Sequence, residues 1–174
     1  MPAPNLVFLD ESSINIGMTR LYGREFGEER IIDYVPDVRF ERLSILSSMR
    51  LNGTFVPLTY KGTLDGAFFL AYIKECLAPT LDEGDIVIMD NASPHKVKRV
   101  VEAIEEKGAY VLWLPTYSPD LNPVEQLWSK IKSHLRTAKA RTVDALYVAL
   151  KDALDAVSIS DIKDWFNMAN YSVS

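Results

Sequence analysis

The sequence predicts an α/β domain in which a mixed β-sheet carries helices on its faces. Three observations predict it. Two runs rich in β-formers, residues 43–51 and 54–60, are joined by Asn52-Gly53, a strong hairpin signal that makes the pair antiparallel. Two continuous apolar runs, residues 85–90 and 109–114, flank a helix-patterned stretch, the arrangement of parallel neighbours joined by a crossover. From Pro123 onward the pattern is helical. A mixed sheet with helices on its faces follows.

In chain order, residues 5–10 form a short apolar run ending in Asp10, as a buried strand would. Residues 17–37 hold three glycines and mixed charges and read as a long loop or irregular ribbon. The hairpin follows. Residues 64–77 place Leu64, Phe68, Ala71 and Leu77 at helical spacing, with Phe69, Tyr72 and Ile73 widening the stripe. The run Asp-Ile-Val-Ile-Met-Asp, ending at Asp90, suits a strand covered on both faces. Ser93-Pro94 then reads as an N-cap and first helical residue. That helix sets Val97, Val100, Val101 and Ile104 on one side and ends at Gly108. Residues 109–114 are another strand, and helices follow near 123–136, 142–157 and 160–170. Trp113, Trp128 and Trp165 fall in apolar patterns and read as core.

The chain of 174 residues suits one domain with a real core, residues 1–174. At 48% hydrophobic residues it is not a disordered sequence. No apolar run approaches the ~20 residues of a membrane helix, so no membrane role is expected. The start, Met1-Pro2-Ala3-Pro4-Asn5, lacks a basic region of the signal-peptide kind. The one cysteine, Cys76, gives no disulfide framework and reads as a small core residue. These features fit the cytoplasm.

The net charge of −5 is unevenly spread. Lys130, Lys132, Arg136, Lys139 and Arg141 lie in a stretch without an acid, and His95, Lys96, Lys98 and Arg99 form a second basic cluster. Solvated helix faces account for such runs, and so would contacts to a DNA backbone.

Three carboxylates stand out. Asp10 and Asp90 each end a strand-like run, a common way to bring an acid to the carboxyl edge of a sheet; a turn or cap role is the competing explanation. Glu11 should face away from Asp10, because neighbouring residues of a strand point to opposite faces. Glu125 falls in the proline-punctuated segment that ends Asn122-Pro123-Val124-Glu125. With Asn122 as N-cap and Pro123 as first helical residue, Glu125 has the spacing of a capping box, in which its carboxylate bonds back to the cap N–H. Taken alone the spacing favours that cap, and a metal-ligand role is the competing explanation. Three acids without a Cys/His cluster favour Mg²⁺ or Mn²⁺ over zinc. Two such ions activate a nucleophile and stabilise the leaving oxygen of a phosphodiester. Without metal, the clustered acids repel, and some should hold protons. Asn91 adds polar capacity beside Asp90, and His95 is open to a structural or an active-site role. His134 is the only other histidine, and the two form no zinc motif. There is no nucleophile elbow and no phosphate-binding glycine loop.

Three blocks, Phe8-Leu9-Asp10-Glu11-Ser12, Val87 through His95, and Leu114 through Trp128, together resemble the catalytic domain of DDE transposases of the mariner-like superfamily, in its bacterial insertion-sequence branch. Residues 91–124, 34 in all, separate Asp90 from Glu125, the family's interval between second and third acids. The resemblance implies a ribonuclease H-like fold with a mixed five-stranded sheet, the first three strands antiparallel and the last two parallel to the first. It implies that Asp10, Asp90 and Glu125 bind two divalent ions. It also implies cleavage of DNA at transposon ends and transfer of the freed 3′-hydroxyl into target DNA, commonly at TA. Asn91 and His95 match supporting positions beside the second acid. Family members usually carry a helix-turn-helix domain ahead of the catalytic one, and only nine residues precede Asp10. The expectation is that a separate polypeptide or a missing N-terminal segment recognises the ends. Lys130, Lys132, Arg136, Lys139, Arg141, Lys96 and Lys98 are the expected DNA contacts, and a homodimer on DNA is compatible with the need to hold two ends. The expected setting is the bacterial cytoplasm, at the nucleoid when on DNA. The alternatives are a non-catalytic transposase-derived binding module and a ribonuclease H-like nuclease with no part in transposition.

Overall fold

The computed structural model describes residues 3–18, 42–116 and 118–173. Most of the ribbon expected over residues 17–37 lies outside them.

Five strands form one sheet in the order β3-β2-β1-β4-β5. Strand β1 is Leu6–Asn15, β2 Arg42–Arg50, β3 Leu58–Lys61, β4 Ile86–Met89 and β5 Tyr110–Trp113. β1 and β2 are antiparallel, as are β2 and β3, whereas β4 runs parallel to both β1 and β5. This is the mixed topology expected of the ribonuclease H-like fold. The hairpin turns at Asn52-Gly53, where Gly53 takes φ +85, a value that favours glycine, and its N–H bonds to the Arg50 carbonyl at 3.1 Å.

The two faces of the sheet explain its apolar runs. Along β1, Leu6, Phe8 and Ile14 enter one core with Ile88, while Val7 and Leu9 enter the other with Val87 and Met89. The first core is closed by α3 (Val124–Ala138), α4 (Val143–Asp155) and α5 (Ile159–Met168), through Leu127, Ile131, Leu146 and Phe166. The second is closed by α1 (Gly66–Tyr72), a following π-helical turn, and α2 (Lys98–Glu105), through Phe69, Ile73, Val100 and Ile104. Both faces are dry, so hydrophobicity does not alternate in β1 and β4. Trp128 and Trp165 are buried in the first core; Trp113 and Cys76 only pack against the edge of the second. Beneath the sheet edge, Arg50 and Asp85 form a buried ion pair, and the guanidinium also donates to the Thr80 carbonyl at 2.8 Å. Among the described residues, no helix is long and apolar enough to cross a membrane.

Three expectations need correction. β1 does not end at Asp10 but runs to Asn15, because β2 pairs with it along that whole length. Its pairing with β4, however, stops at Phe8↔Ile88. Asp10 is therefore mid-strand on one side and past the last partner on the other. The helix expected from Ser93-Pro94 begins only at Lys98. Residues 92–96 form tight turns, with the His95 N–H on the Ala92 carbonyl and the Lys96 N–H on the Ser93 carbonyl. After those turns His95 is buried against Phe69. The third correction concerns Glu125.

Candidate active site

Asp10, Asp90 and Glu125 arrive from three elements, β1, the end of β4 and the first turn of α3, and line one cleft of about 310 Å³ with Asn91, Leu114 and Asn122. The cleft opens at the carboxyl edge of β4, where β1 has lost its partner on that side. A larger, open groove of about 640 Å³ runs along α3 and α5 and contains none of the three acids.

Asp10 is half-buried on the same face of β1 as Phe8. One carboxylate oxygen accepts from the Glu11 N–H at 2.8 Å, the other from Asn122 Nδ2 at 2.9 Å. Burial, reinforced by the charges of Glu125 and Asp90, pushes its pKa from 3.8 up to about 7 against the lowering effect of the Glu11 N–H. The indole N–H of Trp128 also favours the charged form, though it is buried without a well-formed hydrogen bond. Glu11 points to the opposite face, as alternation requires, and accepts from the Tyr60 hydroxyl at 2.7 Å.

Asp90 behaves differently. Its carboxylate lies 2.6 Å from His95 Nδ1 and accepts from the Ala92 N–H at 2.9 Å. His95, helped by that N–H and by Lys96, holds its pKa below the usual carboxylate value despite partial burial. The His95 ring is buried and lies against Phe69 with ring centroids 4.4 Å apart, and its Nε2 has no hydrogen-bond partner among the described residues. The contact to Asp90 is short, but His95 Nδ1 is not aligned with it as a hydrogen bond. Asn91 donates its amide to the Leu114 carbonyl and ties the end of β4 to the end of β5.

Glu125 is exposed at the start of α3. The capping box read from its spacing does not form. A short 3₁₀ turn, Pro119–Leu121, precedes the helix, and the Asn122 N–H bonds to the Pro119 carbonyl at 3.0 Å. With that donor taken, the Glu125 carboxylate makes no cap bond and lines the cleft. The cap comes from Asn122, whose Oδ1 accepts from the Val124 N–H at 3.2 Å. Among the described residues, no three acidic, histidine or cysteine side chains stand close enough, as placed, to grip one ion. The three acids share a cleft without forming a closed cage.

None of the seven lysines and arginines expected at DNA lines this cleft. Lys130 is 2.6 Å from Asp161 and so turns toward α5; Lys98 is 3.5 Å from Glu102. Lys96 and Arg136 are exposed, Lys132 is half-buried, and Lys139 ends α3 in the left-handed conformation at φ +50. Arg141 Nη1 reaches the Ile16 carbonyl at 3.4 Å. Two contributors to the site carried no sequence signal for it: Trp128, which sits in an ordinary apolar stripe, and Asn122, whose bond to Asp10 joins residues 112 positions apart in the chain.

The ribonuclease H-like sheet thus brings three carboxylates to one edge, an all-oxygen donor set of the kind hard cations favour. The chain belongs to the DDE superfamily endonuclease family, whose model matches residues 5–147. It is 30% identical over 83 residues to the Transposable element Tcb2 transposase of Caenorhabditis briggsae, covering 48% of this chain and 30% of that protein. The match thus spans less than a third of that curated relative. The fold superposes on the Mos1 transposase paired-end complex with left transposon end at TM-score 0.76 and 18% identity, covering 97% of this chain and 52% of that one. On the catalytic domain of Mos1 mariner transposase the TM-score is 0.66 at 16% identity, covering 97% and 77%. Paired-end complexes of Mos1 have been solved with Mg and with Mn.

Proposed function

We propose that this chain is the catalytic domain of a transposase, cutting DNA at transposon ends and joining the freed 3′-hydroxyl to target DNA. The observation that carries the reading is the convergence of Asp10, Asp90 and Glu125 on one cleft, with Asp10 pushed up to about 7 by burial and by its two acidic neighbours. Such a site is electrostatically frustrated in the absence of a cation. Its donors are all carboxylate oxygens, which suits Mg²⁺ or Mn²⁺. Asp10, Asp90 and Glu125 would hold two such ions. When bound, these lower the pKa of a water nucleophile and offset charge on the phosphodiester.

The chain's own residues supply the rest. His95 and the Ala92 N–H favour the ionised form of Asp90, so it offers a carboxylate to a cation at neutral pH. Asp10 holds a proton until about neutrality and must release it to become a ligand, so activity should rise toward alkaline pH. Glu125, at the solvent-facing mouth, is the acid with most freedom to close on a ligand. Exposed Lys96 and Arg136, with the other basic candidates, would meet the DNA backbone. Recognition of the ends, a preference for TA, pairing of two copies on DNA, and a place in the bacterial insertion-sequence branch belong to the same proposal. A separate polypeptide or segment would then read the terminal repeats.

The test uses DNA carrying the repeats that flank the gene, with Mn²⁺. The wild-type chain, with its end-recognition partner where one is encoded, should cut. Cutting by Asp90→Asn at the wild-type rate would remove the assignment.

A further inference from the structure

We propose that Asn122 is a positioning residue: its single amide locks the helix that carries Glu125 to the strand that carries Asp10. The inference rests on the three-acid reading and adds a member to that site. The Asn122 side chain is buried and works at both ends. Oδ1 accepts from the Val124 N–H at 3.2 Å, at the start of α3, and Nδ2 donates to Asp10 Oδ2 at 2.9 Å. A backbone N–H can only donate, so the first bond fixes which way the amide faces, and the second follows from it. The residue's own N–H is committed to Pro119 and its carbonyl to the Glu125 N–H at 3.1 Å. Three of its four polar groups therefore serve the helix start or Asp10, and the fourth, its N–H, closes the preceding 3₁₀ turn.

The consequence is mechanical. Glu125 lies three residues beyond Asn122 on a helix whose first turn the Asn122 oxygen defines. The same side chain, from its nitrogen, holds one Asp10 oxygen and leaves that carboxylate a preferred orientation. Asp10 and Glu125 lie 115 positions apart in the chain, and Asn122 makes their separation depend on one planar group. Outer groups that orient ligands in this way typically change metal affinity or activity about 10- to 100-fold when removed.

The experiment separates capping from positioning. Asn122→Ser keeps a cap-competent oxygen but is too short to reach Asp10 as well. Asn122→Asp keeps the shape and the cap oxygen but sets an acceptor where Asp10 needs a donor. Thermal melting, Mn²⁺ affinity by calorimetry, and kcat and KM for DNA cleavage are measured for both, beside wild type and Asp90→Asn. The expectation is that Asn122→Ser melts within a few degrees of wild type, and that Asn122→Asp, which sets a second carboxylate beside Asp10, folds with a lower melting temperature. Asn122→Ser should bind Mn²⁺ about tenfold or more weakly, and both should lose about 10- to 100-fold in kcat with KM for DNA little changed. A folded variant with wild-type Mn²⁺ affinity and kcat would overturn the role. Should the serine variant not fold, the near-isosteric Asn122→Asp decides by the same kcat criterion. The control distinguishes the two levels. Inactive Asp90→Asn beside fully active Asn122→Ser removes only the role of Asn122. Fully active Asp90→Asn removes the three-acid reading and this inference with it.

Discussion

Replacing Asp10 with asparagine should make the metal-free protein more stable at alkaline pH while abolishing its chemistry. Asp10 titrates near 7 in the fold against 3.8 for an unhindered carboxyl. Below the lower value both folded and unfolded chains hold the proton, and the site carries no penalty. Between the two values the unfolded chain ionises first, so stability falls as pH rises, and above about 7 the full penalty is present. That difference sets a ceiling of about 4 kcal/mol. Solvent at the cleft mouth screens part of it, leaving about 2 kcal/mol. The amide must also forgo one of two bonds, since its nitrogen cannot accept and only its oxygen remains for the Glu11 N–H or Asn122 Nδ2, a loss of about 1 kcal/mol. The net gain is about 1 kcal/mol at about pH 8.5, or about 2–4 °C in melting temperature for a chain of this size. At about pH 5, where Asp10 is already protonated, the gain should vanish or reverse. The assay is thermal melting in chelator at both pH values, repeated with Mn²⁺, which should stabilise wild type and not Asp10→Asn. A mutant that is less stable by the same amount at both pH values would refute the argument, because it would mean that Asp10 is not held against its charge.

Two other substitutions probe the frame around the site. Glu125→Gln should leave unfolding in urea within about 0.5 kcal/mol of wild type, because no cap bond is lost, while cleavage disappears; a clear loss of stability would restore the capping role. Asp85→Asn strands the buried Arg50 guanidinium and should lower stability by about 3–5 kcal/mol. Although burial alone would raise the Asp85 pKa, Arg50 holds it low, so the pair's contribution is present above the ordinary carboxyl pKa and is lost as pH falls through the depressed one. Acid titration of folding should therefore show a milder acid limb in the mutant than in wild type.

The sheet was legible because its cues are local. Asn52-Gly53 reports a hairpin, and a dry run such as Val87-Ile88-Met89 reports a strand covered twice. The end of β1 was not legible. After Asp10 come Glu11, Ser12 and Ser13, polar residues that break off the apolar run, yet they stay extended because β2 still pairs with them after β4 has stopped. Ser93-Pro94 misled because the pair starts helices and turns alike; here the chain turns, and His95 packs against Phe69. The three acids could be picked out from their settings, but the competition at Glu125 could not be decided from spacing. It turned on whether the Asn122 N–H was free, and the preceding 3₁₀ turn takes it. Likewise the bond from Asn122 to Asp10 joins residues 112 positions apart, and no local pattern encodes it.

The polar residues at the middle of β1 also guard its alignment. Leu6, Val7, Phe8 and Leu9 are apolar on both faces, so sliding the strand by one residue would exchange one greasy set for another at little hydrophobic loss. Such a slip would still offer a carboxylate to the cleft, that of Glu11 on a longer arm. What distinguishes the two alignments is a pair of side-chain bonds from adjacent residues to opposite faces: Asp10 to Asn122 above, Glu11 to Tyr60 below. Each finds its partner in only one alignment. The strand thus carries its own proofreading mark beside the acid whose placement matters most.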